Sequence, residues 1–381
     1  MTQAGPGPVR VAHVIETLGT GGAEVLLADV TRRLDRTRFR SRVFVLDAPL
    51  DLQPRFAAAG VEVDPLLVPP RRRSVACLLA LTRRLRRFAP DVVHTHLYYG
   101  NVLGRIAARL AGGAPVVTTL HNPDYTFEAR PTALFAAKKA LDRVTGRRNA
   151  VLLAVSEAVA EDYRRHMGWP TIRVLRNGVD LEEYSPGDAP HTGGGAWSGG
   201  GTRLLAVGRL HAQKGHGVLL EAAARCREDG LSLSLALVGE GPLRAALEER
   251  ARRLGLEGQV RFLGRRDDVR DLLRAAEVFV FPSLYEAVGI ALLEAMACGT
   301  AVVASRAGGI PEIVRERESG LLVRPGDASD LANALARLAR DPPERARLGR
   351  GARSRAMMFD IRQTVRELES VYTGLARAVP E

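Results

Sequence analysis

Short apolar segments alternate with helical patterns along this chain, and the alternation runs through it twice. Each apolar segment is rich in β-branched residues and precedes a glycine-rich or polar turn and then an amphipathic stretch. The first half contains VRVAHVIETL, RSRVFVLDA, DVVHTHL, PVVTTLHN and VLLAVS, and the second contains TRLLAVGRL, LSLALVGEG, QVRFLGR, VFVFPS and TAVVAS. Repeated βα units form parallel sheets with helices on both faces. We therefore expect an α/β protein with two doubly wound, Rossmann-like domains.

The length of the chain also favours two domains. It has 381 residues, whereas one domain usually has roughly 100 to 200. The segment SPGDAPHTGGGAWSGGGT, at 185–202, is too rich in glycine and proline to fold alone, so we interpret it as a flexible loop. We place the first domain at 1–184 and the second at 185–359, and we expect a C-terminal helix at about 360–381 to pack back on the first domain.

Composition excludes several other classes. A chain with 46% apolar and 26% charged residues is globular rather than disordered. The three cysteines, Cys77, Cys226 and Cys298, lack metal-ligand spacing and indicate structural thiols in a reducing compartment. The sequence has neither a membrane-spanning apolar run nor a signal peptide at its start. We therefore expect a cytoplasmic protein.

Positive charge is concentrated in the first half of the chain. Residues 1–176 contain 27 Lys and Arg against 15 Asp and Glu, a net charge of +12, whereas residues 177–381 contain 28 of each class. A basic domain beside a neutral one suggests an anionic partner, such as a membrane surface, nucleic acid or a phosphorylated substrate. The alternative is a set of solvated arginines without a partner. Nucleic acid has only the charge in its favour, since the sequence has no aromatic platform or known module for it.

A glycine-rich turn, LGTGGAEVLLADV, follows the first predicted strand. Gly21 and Gly22 allow a ligand to approach the backbone, and the start of the next helix attracts anions. The pattern differs from the G-x-G-x-x-G of dinucleotide loops because its sixth position is Glu24. Two interpretations remain, a ligand-binding loop and a tight turn that needs glycine for its own geometry.

Two cations follow the first strand of the second half, in VGRLHAQKGHGVLLEA. Arg209 lies at the strand end and Lys214 at the start of the next helix, with Gly215 beside it. Ligands of parallel sheets bind at the carboxyl ends of strands. Both cations are therefore positioned to neutralise a diphosphate leaving group, although as an isolated pair they would be interpreted as solvated charges.

The segment FPSLYEAVGIALLEAMACGT places Glu286 in a turn and Glu294 inside the helix that follows. We expect the N–H groups of Val288, Gly289 and Ile290, at the start of that helix, to bind phosphate. Carboxylates accept hydrogen bonds from sugar hydroxyls, so one glutamate could hold a hexose and the other a ribose. The alternative is a helix cap at Glu286 and a surface charge at Glu294.

The order and spacing of these motifs resemble the family 4 retaining glycosyltransferases of the GT-B fold. The matching motifs are Asn177-Gly-Val-Asp180, Gly208-Arg209 with Lys214-Gly215, Val238-Gly-Glu-Gly-Pro242, Glu286 with Glu294-Ala-Met-Ala, Gly308-Gly309-Ile-Pro-Glu312, and Gly21-Gly22-Ala-Glu24 with the strands DVVHTH and TTLHN. The resemblance spans nearly the whole chain. It implies two domains facing a cleft, with a nucleotide sugar bound by the second domain and the acceptor by the first.

The resemblance also implies roles for individual residues. It assigns the diphosphate to Arg209 and Lys214, the donor sugar to Glu286 and the ribose to Glu294. The implied catalytic residues are His121, Arg209, Lys214 and Glu286. The other implied donor-binding residues are Gly21, Gly22, Gly239, Leu263 in the base-facing segment 261–265, Val288, Gly289 and Ile290.

His121 matches the family histidine near the donor sugar, and its alternative is a capping residue at a strand end. We expect His13, His94 and His96 to pack within strands. The chain departs from the family where many relatives have Glu-Gly-Phe-Gly, because it has Glu-Ala-Val-Gly at 286–289. Alanine and valine keep the N–H donors but alter the wall that the resemblance assigns to the sugar.

The expected reaction proceeds with retention and without a covalent enzyme intermediate. An acceptor hydroxyl attacks the anomeric carbon on the face that the nucleotide leaves, and a phosphate oxygen of the leaving group takes the proton. We expect neither a metal nor a cofactor, because the two cations supply the neutralisation and the sequence RRDD at 265–268 is not an Asp-x-Asp metal motif. UDP-sugar is the expected donor, with GDP-mannose as its competitor.

The acceptor is expected to carry a hydroxyl in cell-surface polysaccharide or glycolipid synthesis. The segment RRRSVACLLALTRRLRRFAP has apolar residues at helical spacing among arginines from Arg71 to Arg87. Such a helix can lie on the anionic inner face of a membrane, beside a lipid-linked acceptor. It can equally bury the leucines of the apolar set, which consists of Leu78, Leu81, Leu85 and Phe88, against its own sheet.

Two other classes of protein share parts of this pattern. A sugar-nucleotide epimerase has two similar domains but needs acid and base residues around the sugar, which the glutamate spacing fits less well. A non-catalytic nucleotide-sugar-binding protein would keep the motifs of the second domain, whereas His121 and the Gly21-Gly22 turn favour a transferase.

Overall fold

The fold is taken from a computed structural model that describes residues 7–67, 75–123, 125, 132–187, 195–198 and 200–378. The chain divides into two compact units. Unit 1 consists of Met1–Asn177 and Ile361–Glu381, and unit 2 consists of Gly178–Asp360. The division therefore falls at 177/178, before the position 184/185 that the sequence suggests. The intervening residues are held by unit 2, since Arg353 donates hydrogen bonds to the carbonyls of Leu181 and Tyr184.

Unit 1 contains a seven-stranded parallel sheet in the order β3-β2-β1-β4-β5-β6-β7. Its strands are β1 (Val9–Ile15), β2 (Phe39–Val45), β3 (Glu62–Pro65), β4 (Val92–His96), β5 (Val116–Leu120), β6 (Val151–Ala154) and β7 (Arg173–Val174). Its helices are α1 (Gly22–Thr31), α2 (Gln53–Ala58), α3 (Val75–Phe88), α4 (Tyr98–Ala111), α5 (Ala133–Gly146), α6 (Glu157–Met167) and, from the end of the chain, α14 (Ile361–Arg377).

Unit 2 contains a six-stranded parallel sheet in the order β10-β9-β8-β11-β12-β13. Its strands are β8 (Thr202–Val207), β9 (Leu233–Val238), β10 (Val260–Gly264), β11 (Val278–Phe281), β12 (Ala301–Ser305) and β13 (Leu321–Val323). Its helices are α7 (His216–Glu228), α8 (Arg244–Arg253), α9 (Val269–Ala275), α10 (Ile290–Ala297), α11 (Ile310–Ile313), α12 (Ala328–Arg340) and α13 (Pro342–Ala356). The two-domain α/β prediction is confirmed.

The central strands are buried on both faces, which explains their continuous apolar runs. In β1, Val11 packs in a core that α1 and α14 share, whereas Ala12 and Val14 pack in a core beneath α3 and α4. This alternation follows from the two-residue period of a strand. The final helix therefore completes one face of the unit 1 sheet.

The three cysteines are free thiols in the interior. Burial raises the pKa of Cys226 to about 11, so this thiol stays protonated at neutral pH. Among the helices that the structure describes, none is both long enough and apolar enough to cross a bilayer.

Candidate functional site

The strand order of unit 2 reverses at β8, with β9 on one side and β11 on the other. The connections after β8 and β11 therefore lead to opposite faces of the sheet, and a crevice opens between them at the carboxyl ends of the strands. Arg209 and Lys214 follow β8, and Glu286 follows β11. Three of the four predicted catalytic residues thus flank one switch point.

An ion pair bridges this switch point. Nζ of Lys214 donates to Oε2 of Glu286, and the two side chains are 17% and 9% exposed. Ser283 Oγ lies 3.4 Å from the same carboxylate oxygen, and the lysine ammonium lies 5.1 Å from the centroid of the Phe281 ring. Each charge compensates the other in this half-enclosed position, so a ligand that engages one of them must compete with its partner.

Hydrogen bonds hold the two loops of the ion pair together. The N–H of Leu284 donates to the carbonyl of Gln213 at 2.8 Å. The side-chain amide of Gln213 donates to the carbonyl of Tyr285 at 3.2 Å. Lys214 and Glu286 are the next residues along each loop, so their approach is fixed by the backbone as well as by charge.

A third loop, after β12, supports Glu286 from behind. Gly309 donates its N–H to the carbonyl of Glu286 at 3.1 Å. Gly308 has φ of +51°, and a Cβ atom there would lie 1.8 Å from the same carbonyl oxygen. Only glycine permits both this left-handed conformation and this approach. The Gly308-Gly309 motif therefore positions Glu286.

Helix α10 begins directly after this region. Its N-cap is Gly289, with φ of +88°, and Ile290 is its first residue. Val288 is buried, and Glu294 is 9% exposed in the second turn. The start of α10 lies at the switch point because the helix follows β11, and its first N–H groups suit an anion.

The remaining predicted residues of unit 2 lie at the same edge of the sheet. Arg209 is exposed and forms no ion pair with any residue described in the structure. Gly239 follows β9, and a Cβ atom there would lie 2.1 Å from the carbonyl oxygen of Gly208. Leu263 is half-buried near the end of β10. These residues come together at one edge because all their strands are parallel.

Unit 1 has its own switch point, at β1 between β2 and β4. Gly21 is the N-cap of α1, and Gly22 is its first residue. The carboxylate of Glu24 lies against this turn. Its Oε1 accepts a hydrogen bond from Thr17 Oγ1 at 3.2 Å. A Cβ atom at Gly21 would lie only 2.4 Å from Oε2 of Glu24. Glycine at position 21 therefore makes room for a carboxylate of the same motif.

Four histidines form a connected row beside this turn. His13 pairs in register with His94, and His96 follows two residues later on the same face of β4. His96 Nδ1 lies 3.1 Å from Nε2 of His121, which follows β5. His94 and His96 have ring centroids 4.2 Å apart. The predicted catalytic histidine is thus the outermost member of a buried row.

Two hydroxyl groups fix the orientation of His94. Its Nδ1 lies 2.6 Å from the Tyr372 hydroxyl of α14, and its Nε2 lies 2.7 Å from Thr119 Oγ1. A cavity of about 20 Å³ is lined by His94, His96 and His121, together with residues of α1 and α14. The final helix therefore takes part in the histidine network.

Burial keeps all four imidazoles neutral. It lowers the pKa of His121 to about 4 and that of His13 to about 3. Burial, followed by the neighbouring histidines, also lowers the pKa of His94 and His96 well below the ordinary value. At neutral pH, the four histidines can therefore donate and accept hydrogen bonds as uncharged imidazoles.

The ring nitrogens of His13, His94 and His96 lie within 4.8 Å of one another, as in a possible metal site. Both nitrogens of His94 already have hydroxyl partners. A metal would have to displace one of these hydrogen bonds, so the arrangement fits a hydrogen-bond network better.

For the arginine-rich helix α3, the structure buries only part of the apolar residues. Phe88 is buried and Leu78 is half-buried, whereas Val75 and Leu79 are 72% and 47% exposed. Leu81 and Leu85 of α3 are completely buried in the core of unit 1. Arg84 is paired with Asp64 of β3. Arg71, Arg72 and Arg73 lie outside the described residues.

Sequence reasoning missed the contact between His96 and His121 and the role of Tyr372. His13, His94 and His96 are buried in strands, as expected, but His96 also contacts a predicted catalytic residue. The alternation in DVVHTH puts both of its histidines on one face of a strand, and that signal could have indicated their joint role. Tyr372 is distant in sequence, and no local pattern points to it.

Two family models match the chain. Residues 20–183 match the model described as "Glycosyltransferase Family 4", and residues 195–355 match "Glycosyl transferases group 1". A D-inositol 3-phosphate glycosyltransferase of Saccharomonospora viridis is 36% identical, over 74% of this chain and 69% of the relative. Another of that name, from Nocardiopsis dassonvillei, is 32% identical, over 98% of this chain and 96% of the relative.

Solved structures show the same fold. The Anabaena protein HepE in complex with UDP-glucose has a TM-score of 0.85 and 23% identity, covering 96% of this chain and 99% of its own. Sucrose-phosphate synthase from Thermosynechococcus elongatus has a TM-score of 0.82 and 23% identity, covering 97% of this chain and 100% of its own.

Proposed function

Since the chain belongs to the family 4, group 1 glycosyltransferases and has their GT-B fold, we propose that it is a retaining, UDP-sugar-dependent enzyme. It moves a hexose or N-acetylhexosamine to a hydroxyl acceptor. Family membership confirms the transferase interpretation over the epimerase and non-catalytic alternatives. The single observation that carries the site assignment is the Lys214–Glu286 ion pair at the switch point of unit 2.

In this proposal, the bound donor replaces the Lys214–Glu286 ion pair with two contacts of its own, one to each side chain. The diphosphate takes the Lys214 ammonium, assisted by Arg209 and the N–H groups at the start of α10. Glu286 is then released to accept hydrogen bonds from the sugar hydroxyls. Glu294 binds the ribose hydroxyls, and the segment containing Leu263 contacts the base.

The acceptor hydroxyl attacks the anomeric carbon on the face that the nucleotide leaves. Its proton passes to a phosphate oxygen of the departing UDP, so no enzyme carboxylate has to form a covalent bond. Lys214 and Arg209 stabilise the negative charge that develops on the leaving group. His121 contacts the donor sugar as a neutral imidazole, consistent with its lowered pKa of about 4. We propose that no metal ion is required.

The solved complex of HepE with UDP-glucose supports UDP as the nucleotide. GDP-mannose remains the competing donor. Ala287 and Val288 are both buried beside Glu286, so the wall that they form is a candidate determinant of the sugar.

Two acceptor classes follow from different observations. The basic first half favours an acceptor in cell-surface polysaccharide or glycolipid synthesis, used at the inner face of the membrane. The relatives named D-inositol 3-phosphate glycosyltransferase favour a soluble phosphorylated polyol. Both carry anionic groups, so the excess of positive charge suits either.

The first experiment is calorimetric binding of UDP, GDP and ADP, with Glu294→Ala and a matched variant, Glu228→Ala, at an exposed site on α7. We expect selective binding of UDP that only Glu294→Ala weakens. Equal loss in both variants, or no nucleotide binding, would reject the site. UDP release in the presence of inositol phosphate or a polyprenyl-linked acceptor then identifies the acceptor class, and the anomeric configuration of the product tests retention.

A further inference from the structure

A groove of about 680 Å³ lies at the amino ends of two strands of unit 1. Asn149 and Ala150 line it directly before β6, and Pro170 and Thr171 line it shortly before β7. His121, by contrast, follows the carboxyl end of β5. All strands of this sheet are parallel, so their amino and carboxyl ends lie at opposite edges. The groove is therefore separate from the site that contains His121.

Arginines line the groove, and its lining includes no acidic residue. They are Arg143 and Arg147, at the end of α5, and Arg173 of β7. Arg143 and Arg147 are exposed and pair with no carboxylate in the part of the chain that the structure describes. Arg173 lies 2.9 Å from Glu367, so its charge is partly compensated. Two uncompensated guanidinium groups suit an oxygen-rich anion.

Further arginines increase the positive charge beside the groove. Arg109 donates to the carbonyl of Thr145 at 2.7 Å, one residue before Gly146 of the lining. Burial, followed by the charges of Arg148 and Arg105, lowers the pKa of Arg109. Neighbouring like charges have this effect because they disfavour the charged form. A bound anion would relieve the repulsion.

The groove also adjoins buried hydrogen-bond donors that have no acceptor among the described residues. Trp169 and Asn149 line the groove, and the unpaired atoms are Trp169 Nε1 and Asn149 Nδ2. Trp169 is 5% exposed. The guanidinium carbon of Arg105 lies 5.6 Å from the centroid of the Trp169 ring, and Nη2 of this completely buried arginine is unpaired as well. Buried donors without partners are costly, so this group of donors indicates that a ligand supplies the acceptor.

The remaining lining of the groove is largely apolar. Val371 and Leu375 of α14 contribute to it, together with Met167 and Pro170. The volume lies within the range of roughly 300–1,000 Å³ that is typical of small-molecule sites. An inorganic phosphate would leave much of this space empty. A ligand that matches the whole lining has an anionic group and an apolar body.

We propose that this groove is a second binding site of the chain, for a soluble organic oxyanion that carries a phosphate or carboxylate group on an apolar body. The anionic oxygens accept hydrogen bonds from Arg143, Arg147 and the unpaired donors, and the apolar body packs against α14. Binding involves no covalent step. Helix α14 also carries Tyr372, whose hydroxyl lies 2.6 Å from Nδ1 of His94. The ligand therefore contacts the helix that takes part in the histidine network. This inference concerns unit 1 alone and does not depend on the proposed donor or reaction.

Phenyl phosphate is a suitable probe, because it combines an anionic group with an apolar ring. The chain has two tryptophans, so Trp197→Phe leaves Trp169 as the only one. We expect phenyl phosphate to change the fluorescence of Trp169 in this variant of the full chain. It should bind about tenfold tighter than inorganic phosphate, since the ring buries apolar surface. Amide hydrogen exchange in α14 should slow when the probe is bound, and saturating UDP should not displace it.

Three variants, measured by calorimetry, test the residues of the groove. Arg143→Gln/Arg147→Gln should weaken binding of phenyl phosphate by about tenfold or more, since hydrogen bonds between charged groups are among the strong ones. Trp169→Phe keeps an aromatic ring but removes the donor, and should weaken binding by about fivefold. Arg83→Gln/Arg87→Gln is the matched control. It removes the same charge from exposed positions of α3 and should change the affinity by about twofold or less.

Several results would overturn the proposal. They are no binding of phenyl phosphate at concentrations up to about 10 mM, equal loss in the α3 control, or displacement of the probe by UDP. Competition by vesicles that contain phosphatidylglycerol, but not by phosphatidylcholine vesicles, would assign the groove to a lipid headgroup and reject a soluble ligand. Thermal midpoints of all variants separate loss of binding from misfolding. The UDP affinity of each variant tests the donor-site proposal independently.

Discussion

His96 Nδ1 lies 3.1 Å from His121 Nε2, so a residue within a strand contacts the predicted catalytic histidine at a strand end. One ring nitrogen of a neutral imidazole donates and the other accepts, and the partner of one nitrogen determines the role of the other. His96 therefore sets which nitrogen of His121 can donate to a ligand. The buried residue His96 thus affects how the predicted catalytic residue His121 can bind its ligand.

Replacing His96 with leucine should lower turnover while leaving the UDP affinity nearly unchanged. The change removes the hydrogen-bond partner of His121 without touching unit 2, where the nucleotide is proposed to bind. We expect a decrease in kcat of about tenfold or more. Steady-state kinetics and calorimetry measure the two quantities. His13→Leu, an equally buried change without a hydrogen bond to His121, is the control, and an equal loss in both variants would contradict the positioning role.

The histidine row should make the protein sensitive to acid. The unfolded chain binds a proton on each histidine near the ordinary pKa of 6.5, whereas burial lowers the folded pKa of His121 to about 4 and that of His13 to about 3. The unfolded state therefore binds more protons between these limits. The stability is fully present above pH 6.5 and decreases as the pH falls toward the folded pKa, by about 1.4 kcal/mol per pH unit for each histidine.

Chemical denaturation between pH 7 and pH 4 measures this slope. His13→Phe should reduce it by the contribution of one histidine, about 1.4 kcal/mol per pH unit. A slope that does not respond to His13→Phe would mean that the buried row does not govern acid unfolding.

The Lys214–Glu286 pair predicts opposite effects on UDP binding for its two members. Lys214→Met should weaken UDP binding by about tenfold or more, because a hydrogen bond to a charged group contributes about 1.5–3 kcal/mol. Glu286→Gln should leave UDP binding equal or tighter, since Lys214 no longer has a competing carboxylate, and yet abolish most transfer. Calorimetry and a UDP-release assay test both expectations. Weaker UDP binding in Glu286→Gln would show that the carboxylate does not compete with the nucleotide.

Gly308→Ala should destabilise the protein and impair the donor site more than the strain of a left-handed backbone alone would. Its Cβ would lie 1.8 Å from the carbonyl oxygen of Glu286, at φ of +51°. Gly230 has φ of +76° but no atom within 4 Å of its Cβ position. Gly230→Ala should therefore cost about 1–2 kcal/mol for left-handed backbone alone. We expect Gly308→Ala to cost more and to impair transfer, as measured by thermal unfolding and activity, and equal effects would contradict the support role.

The buried pair Arg105–Asp142 should stabilise unit 1 far more than an exposed pair does. Their side chains are 0% and 2% exposed, and Tyr125 also donates to Asp142 at 2.6 Å. Asp142→Ala leaves a buried charge uncompensated and should cost about 3–5 kcal/mol. Asp91→Ala breaks an Arg10 pair with side chains 42% and 34% exposed, and should cost about 1 kcal/mol or less. Denaturant titration of both variants tests the difference.

The sequence predicted the nine central strands because strands buried on both faces have continuous apolar runs. It also predicted β10, at one edge of the unit 2 sheet. It missed β3, β7 and β13, which lie at sheet edges and have between two and four residues. An edge strand pairs with only one neighbouring strand and is less completely buried than a central strand. Its sequence therefore has a weaker apolar pattern. The sites followed from the same logic, since parallel strands bring Arg209, Gly239 and Glu286 to one edge.

The sequence could not predict which side chains pair with each other. Charge type suggested that Lys214 and Glu286 bind ligands, but their pairing depends on loop conformations that Gln213 and Gly308 fix through space. The arginine pattern of α3 could not reveal which of its faces the sheet covers. Exposed and buried leucines are identical in sequence, and the distinction arises only after packing.

The chain leaves unit 1 at Asn177 and returns to it at Ile361, which sets the order in which the two units can be completed during synthesis. The apolar face that Ile361, Val365 and Leu368 cover in unit 1 stays open until the last helix has left the ribosome. Unit 2 is continuous and can close its core before that. The half of the protein that is made first is therefore finished last, and a nascent chain that stalls before α14 exposes the β1 and β4 face to chaperones and proteases.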